Sequence, residues 1–369
     1  MRFKCPLVSL LAAASPRWST ETRCASPSQW MWRSLQMAPP RLLWRLVEVA
    51  EATENESLKM ELKDQAKRMQ GYLRGLSEVV ELKDEKSVYW LERTGKKNQI
   101  IHLRSAPLEI AEVLRDQLFS KDSSVVMTSA TLTRKGKADT FKSMVGAESI
   151  AEGIVNSPFD YESNLQVRIL SDCPEPMGQN REPYLNRLTE VVHACASGMG
   201  GGTLVLFTNY ADLRHCYHTL RPRWERLGRS LYAQGEGYSR SELRNRLVEE
   251  GDALLLGAES FWKGFDAKGA CLSQVIITRL PFENPGHPLL EAKTELMREQ
   301  GKSSFAEHFL PSAVIRFRQG IGRLIRSKSD VGDLVILDSR ILRKSYGKSF
   351  LNELPKKDYE VFSSADLLQ

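Results

Sequence analysis

The sequence predicts an α/β fold, a parallel sheet covered by helices on both faces, and three observations predict it. Short contiguous apolar runs such as Leu204-Val205-Leu206-Phe207, Leu254-Leu255-Leu256 and Leu334-Val335-Ile336-Leu337 lack the in-and-out alternation of a half-exposed strand, so they read as strands buried on both sides. These runs interleave with amphipathic segments of helical period, the order that builds crossover connections. The loops richest in functional side chains leave the ends of those runs, where open α/β sheets bind ligands.

Residues 1–39 read as a disordered or spurious leader. Arg2 and Lys4 precede a short apolar patch that carries Pro6, and aperiodic Ser/Pro/Arg/Trp-rich sequence follows; a targeting peptide is the alternative. Residues 40–86 turn helical, with Leu42, Leu43, Leu46 and Val47 before a charged stretch and Leu73, Leu76 and Val79 after it, as in an antiparallel helical pair. Residues 87–152 begin with two alternating runs, 87–93 and 99–104, around a Thr94-Gly95-Lys96-Lys97-Asn98 turn, which predict a hairpin. A helix over 108–119 and a buried strand over 124–128 follow.

Residues 153–369 carry the regular alternation. Strands are expected at 203–207, 231–234, 253–257, 274–277 and 334–337. Helices are expected at 210–220, from a capping box at Ser239-Arg240-Ser241-Glu242 to Glu250, and from Pro288 to about Ser327.

Composition narrows the function classes. The chain has 369 residues, enough for two or three domains, and is 41% hydrophobic and 27% charged, as globular proteins are. Its net charge of +6 favours a polyanionic partner such as nucleic acid. The six cysteines show neither CxxC nor Cys/His ligand spacing, so they read as reduced thiols of a cytoplasmic protein. No apolar run is long enough to span a bilayer, so no membrane partner is expected.

Arg318-Gln319-Gly320-Ile321-Gly322-Arg323-Leu324-Ile325-Arg326 holds the strongest chemical signal. Arg323 and Arg326 at i, i+3 spacing would leave one face of a helix and converge on an anion, as two planar, permanently charged forks can on a phosphate. Two further loops leave buried strands: Thr128-Ser129-Ala130-Thr131, and Gly257-Ala258-Glu259-Ser260-Phe261-Trp262-Lys263-Gly264-Phe265-Asp266. Singly, the first also reads as a plain turn after a strand, and the second as a Gly-Phe-Asp loop with Phe261 and Trp262 in the core.

Taken in order, Thr-Ser-Ala-Thr-Leu, Leu-Val-Leu-Phe-Thr-Asn-Tyr, Phe-Trp-Lys-Gly-Phe-Asp and Gln-Gly-Ile-Gly-Arg-Leu-Ile-Arg resemble the latter half of superfamily 2 helicases of the DinG/XPD family. Ser157-Pro158-Phe159-Asp160-Tyr161, Leu280-Pro281-Phe282 and Ile336-Leu337-Asp338-Ser339-Arg340 are similar to its flanking signatures. The resemblance covers roughly residues 100–355. It implies a RecA-like parallel sheet forming a complete second helicase lobe over 153–369. Before it would come a remnant of the first lobe over 87–152 and, over 40–86, the end of a helical insertion.

The resemblance implies that Arg323 and Arg326 neutralise the γ-phosphate and that Gln319 positions the nucleotide or its attacking water. Gly322, Gly264 and Asp266 would flank the nucleotide. Ser129, Ala130 and Thr131 would couple hydrolysis to unwinding, and Thr208 and Tyr210 would touch the DNA backbone. Lys263 stands where the family usually has Glu. The 369 residues contain no GxxxxGK[ST] loop and no strand followed by an acidic box; Gly301-Lys302-Ser303 and Gly347-Lys348-Ser349 lack the first Gly of such a loop.

The expectation is the C-terminal portion of an ATP-dependent DNA helicase acting on single-stranded DNA. It would use ATP and Mg2+ only together with a phosphate-loop half; a truncated, split or fragmentary gene would each explain the arrangement, the split gene with that half encoded separately. No iron–sulfur cluster and no resident metal are expected within these residues. The alternatives are a non-catalytic nucleic-acid-binding remnant of such a helicase and an unrelated α/β enzyme that uses Arg323 and Arg326 on a phosphorylated substrate.

Overall fold

The computed structural model describes residues 27–82, 84–94, 100–133, 136–175, 180–265 and 271–367. The chain divides into two compact units. One comprises the described part of 1–125 with 142–148 and 285–300; the other comprises 126–141, 149–284 and 301–369.

The first unit opens with a helical hairpin, α1 (Pro27–Ala52) and α2 (Glu56–Glu81). Helix α1 thus reaches back into the stretch expected as a leader, whose residues 1–26 lie outside the described residues. The turn is short because Asn55 caps α2, its side chain accepting from the N–H groups of Ser57 and Leu58 at 3.1 Å each. Strands β1 (Ser87–Thr94) and β2 (Ile100–Pro107) form the expected antiparallel hairpin, with Trp90 opposite Arg104; its turn, 95–99, lies outside the described residues. The Trp90 ring meets His287, the N-cap of the helix Pro288–Glu299, edge-on at 5.4 Å.

The stretch 124–128 is not the buried strand expected from its apolar residues. It is irregular, with Val126 89% exposed. A parallel strand is held by ladders on its flanks, and among the described residues no strand pairs with this one, so apolarity alone does not make it extended and buried.

The second unit is built on seven parallel strands: β3 (Leu165–Leu170), β4 (Thr203–Leu206), β5 (Leu231–Ala233), β6 (Leu254–Gly257), β7 (Gln274–Ile277), β8 (Gly332–Ile336) and β9 (Glu360–Phe362). Their order is β5-β6-β4-β7-β8-β3-β9. Leu204, Val205, Leu206, Leu254, Leu255 and Leu256 are all 0% exposed, which explains why these runs do not alternate.

Successive residues feed two cores. Leu204, Leu206, Leu255 and Ile277 pack with Leu243 and Leu247 of α5 (Arg240–Glu250) and with Val314 and Phe317 of α7 (Leu310–Ile321). Val205, Phe207, Leu256 and Ile276 pack with Leu188 and Val192 of α3 (Arg181–Ser197) and with Leu213, Leu220 and Trp224 of α4 (Tyr210–Arg226). Helix α6 (Glu259–Trp262) is the single turn that leaves β6. The capping box of α5 forms as expected, and Gly251 ends that helix at φ +72.

A polar seam crosses the starts of the strands. Thr203 donates to Gln274 (3.1 Å), Gln274 to Asp333 (2.7 Å) and Arg168 Nε to Asp333 (3.1 Å). Each buried polar group meets a partner of opposite hydrogen-bonding sense, so the seam fixes the lateral order of β3, β4, β7 and β8.

Candidate functional site: an arginine loop at the strand ends

Helix α7 ends at Ile321, where the Gly322 N–H closes on the Arg318 carbonyl at 2.9 Å. Arg323 and Arg326 therefore lie beyond the helix, in the turns that lead to β8, and not one turn apart on a helical face. The cause lies in Leu324 and Ile325. Each is 3% exposed, and turning both into the core draws the chain off the helical path.

The two guanidiniums converge all the same. Arg323 Nη1 and Arg326 Nη2 both donate to the carbonyl oxygen of Phe265 at 2.9 Å, and Arg323 Nη2 donates to that of Trp262 at 2.7 Å. Asp330 pins the second arginine's backbone by accepting from the N–H groups of Arg326 and Ser327 at 2.8 Å each. Burial pushes the Asp330 carboxyl up, but the Ser327 hydroxyl and those two N–H groups outweigh it and hold the carboxyl below its ordinary value.

The loop that receives these bonds is shaped by its aromatics. Phe261 and Phe265 pack 4.8 Å apart, both in the core, and Gly264 between Lys263 and Phe265 turns the chain at φ +63, a conformation that favours glycine. Arg240 Nη2 holds the Lys263 carbonyl at 2.6 Å. Asp266 lies outside the described residues.

Trp262 is the link that sequence reasoning left in the core. Its indole N–H donates to the Phe207 carbonyl at the end of β4 (2.8 Å), while its own carbonyl serves Arg323. Gly320 lets α7 lie against that indole: a Cβ there would fall 2.9 Å from Trp262 Cζ3. Gly322, the site glycine expected from the motif, has φ −64 and needs no glycine-only conformation.

The Ser-Ala-Thr loop joins the same cluster. Gln319 Nε2 donates to Thr131 Oγ1 at 3.3 Å, and the Ser129 and Thr131 hydroxyls are 3.2 Å apart. Gln319 Oε1 is buried and has no hydrogen-bond partner among the described residues. Arg318, which has no assigned role in the motif, does most of the holding. It donates to the carbonyls of Thr133 (2.6 Å) and Ala130 (3.2 Å) and approaches Glu353 at 3.4 Å. Backbone acceptors leave no residue-type signature, which is why this role was not legible.

Thr208 and Tyr210 sit around the Asn209 cap of α4, whose Oδ1 accepts from the Asp212 N–H at 2.8 Å. Tyr210 is 44% exposed, and its hydroxyl accepts from Gln234 at 2.6 Å. Thr208 opens on a cleft shared with Lys263, Asn284 and Arg316, so Lys263 faces the Thr208 side of the loop. Glu283 lines that cleft also. His308 at 3.3 Å and Arg316 at 2.6 Å hold its carboxyl below the ordinary range against the opposing effect of burial. Asp338 is paired with Arg340 (2.8 and 2.6 Å) and accepts from the Leu280 N–H (2.8 Å), tying the end of β8 to the loop after β7.

The cluster suits an anion with several oxygens, met by forked donors and an acceptor able to orient water. Among the described residues no three His, Cys, Asp or Glu side chains come together as a metal-ligating group. No described helix is long and apolar enough to cross a membrane.

Residues 192–357 match the helicase C-terminal domain family. The chain is 35% identical over 309 residues to the 3'-5' exonuclease DinG of Bacillus subtilis (strain 168), a match covering 82% of the chain and 33% of that relative. It is 34% identical over 284 residues to the ATP-dependent DNA helicase YoaA of Escherichia coli (strain K12), covering 77% of the chain and 43% of the relative. The chain thus spans between a third and a half of the length of these curated relatives. Among solved structures, an XPD helicase aligns with a TM-score of 0.56 at 15% identity, over 86% of this chain and 55% of that one, a likeness of fold.

Proposed function

We propose that the chain, whose residues 192–357 match the helicase C-terminal domain family, is the C-terminal portion of an ATP-dependent DNA helicase of the DinG/XPD family, coupling hydrolysis to movement along single-stranded DNA. The observation that carries this reading is the convergence of Arg323 and Arg326 on one oxygen, the Phe265 carbonyl, at 2.9 Å each. A γ-phosphate oxygen presents the same lone pairs with a full charge. Exchanging that carbonyl for the phosphate lets both forks stabilise the charge that builds in the transition state.

In this reading Gln319 turns its Oε1 to the attacking water while its amide nitrogen stays on Thr131, so the Ser129-Ala130-Thr131 loop registers the event. Trp262 carries it onward: its carbonyl answers to Arg323 and its indole to Phe207, beside the Thr208 hydroxyl that meets the DNA backbone. Such a hydroxyl contact positions the strand without reading its sequence. ATP enters with Mg2+, whose role is to neutralise the phosphates. Since the 369 residues hold no phosphate-loop motif, the β-phosphate cradle comes from a partner half, either joined to this chain or encoded apart.

The rival is a non-catalytic remnant that keeps the fold and binds nucleic acid. One assay separates them: ATP turnover stimulated by single-stranded DNA, measured with and without an added phosphate-loop fragment from a relative. Turnover that appears only in the mixture supports the helicase. Continued absence of turnover with DNA binding intact supports the remnant.

A further inference from the structure

Helix α4 leaves the Thr208 corner and presents an outer stripe that the reading above does not use. Tyr210, Arg214, Tyr217, His218 and Arg221 fall at i, i+4, i+7, i+8 and i+11, which places them on one face. At 1.5 Å of rise per residue the stripe runs about 16 Å. The neighbouring face, Leu213, Cys216, Leu220 and Trp224, is 0% exposed; Tyr217, at the border between the two, is half-buried against that core, while Tyr210, Arg214, His218 and Arg221 are exposed.

Charge on the helix is one-sided. Asp212 is 1% exposed, turned inward and bound by Arg181, with Arg279 at 3.6 Å and Asn209 at 2.9 Å. Glu225 pairs with Arg221 at 3.0 Å, with both side chains more than half exposed, so solvent screens the pair and a phosphate can displace the carboxylate. Among the described residues no carboxylate pairs with Arg214. Aromatic rings alternate with the cations: Tyr210 is 44% exposed, and the Tyr217 and His218 rings meet edge-on at 5.3 Å. Rings that stack bases beside arginines that track phosphates are the means by which proteins hold single strands without sequence preference.

We propose that this stripe extends the nucleic-acid path, carrying single-stranded DNA away from Thr208 along α4. The inference rests on the proposed helicase reading for its starting point at Thr208.

The test is anisotropy of fluorescein-labelled oligothymidylate on the full chain, titrated across 50 to 200 mM salt. Arg214→Gln with Arg221→Gln should weaken binding about tenfold or more at the low-salt end. The slope of log affinity against log salt should flatten by about 1.4, or ~0.7 per lost single-strand phosphate contact. Thr208→Ala should weaken binding and leave the slope unchanged. Both arginines are exposed, so an unchanged melting temperature shows that the variant still folds. Unchanged affinity and slope in the double arginine variant, with Thr208→Ala still weakened, would overturn the stripe and leave the helicase reading standing. Failure of the unaltered chain to bind any oligothymidylate would overturn both.

Discussion

Two sets of arginines around the seven-stranded sheet use their guanidiniums in opposite ways. At the strand starts Arg168 is matched to a carboxylate, Asp333, and the bond continues through Gln274 to Thr203. At the strand ends Arg318, Arg323 and Arg326 donate to backbone carbonyls of Ala130, Thr133, Trp262 and Phe265. Side-chain pairs lock the strands in their lateral order. Bonds to a loop's backbone make the arginine follow the loop, and the loop follow the arginine. The first arrangement is a fastening; in the proposed reading the second transmits displacement.

That contrast is open to experiment from both sides. In a mixture with a phosphate-loop fragment, Arg323→Ala or Arg326→Ala should lower ATP turnover about a thousandfold, as loss of an arginine finger does, with affinity for single-stranded DNA unchanged. Equal losses in turnover and affinity would reduce the pair to a basic surface. Asp333→Ala, in the first arrangement, should cost about 3 kcal/mol in urea unfolding, because a half-buried Arg168 loses its carboxylate. Turnover per folded molecule should survive that change; if it does not, the two arrangements are one unit.

A smaller effect is expected at the link itself. Trp262→Phe keeps the ring beside Gly320 but leaves the Phe207 carbonyl without its donor, at a cost of about 1–2 kcal/mol. Its signature should be faster hydrogen exchange at Phe265 and Thr208 together; exchange at one alone would break the proposed chain of transmission.

The smallest effect is a titration. The Asp330 carboxyl is held below its ordinary value, so its share of stability is complete above about pH 5 and is lost as pH falls through the lower folded value. An Asp330→Asn variant should therefore be less stable than the unaltered chain at neutral pH and approach it in acid. A gap that persists unchanged into acid would show that Asp330 acts by something other than its charge.

Much of the second unit was legible because its strands are buried on both faces and its helices on one, so pattern and burial agree. Thr203–Leu206, Gln274–Ile277 and the Ser239 capping box fall where the sequence puts them. The stretch 124–128 failed because a strand is a property of its neighbours as much as of its residues. The arginine pair was placed on the wrong local structure yet brought to a common point, since spacing carries proximity but not the inward pull of Leu324 and Ile325. Arg318, Trp262 and Gly320 stayed hidden because their contacts are with carbonyls and with a ring edge, for which no residue code exists.

One detail of the sheet bears on anyone cutting this chain for expression. Strand β9 lies past residue 357, where the family match stops, and it covers the outer flank of β3 through Arg168↔Glu360, Ile169↔Val361 and Leu170↔Phe362. A fragment trimmed to the matched boundary would present β3 as a bare, apolar rim, the kind of surface along which molecules zip together into aggregates. Keeping the residues through Phe362 protects it.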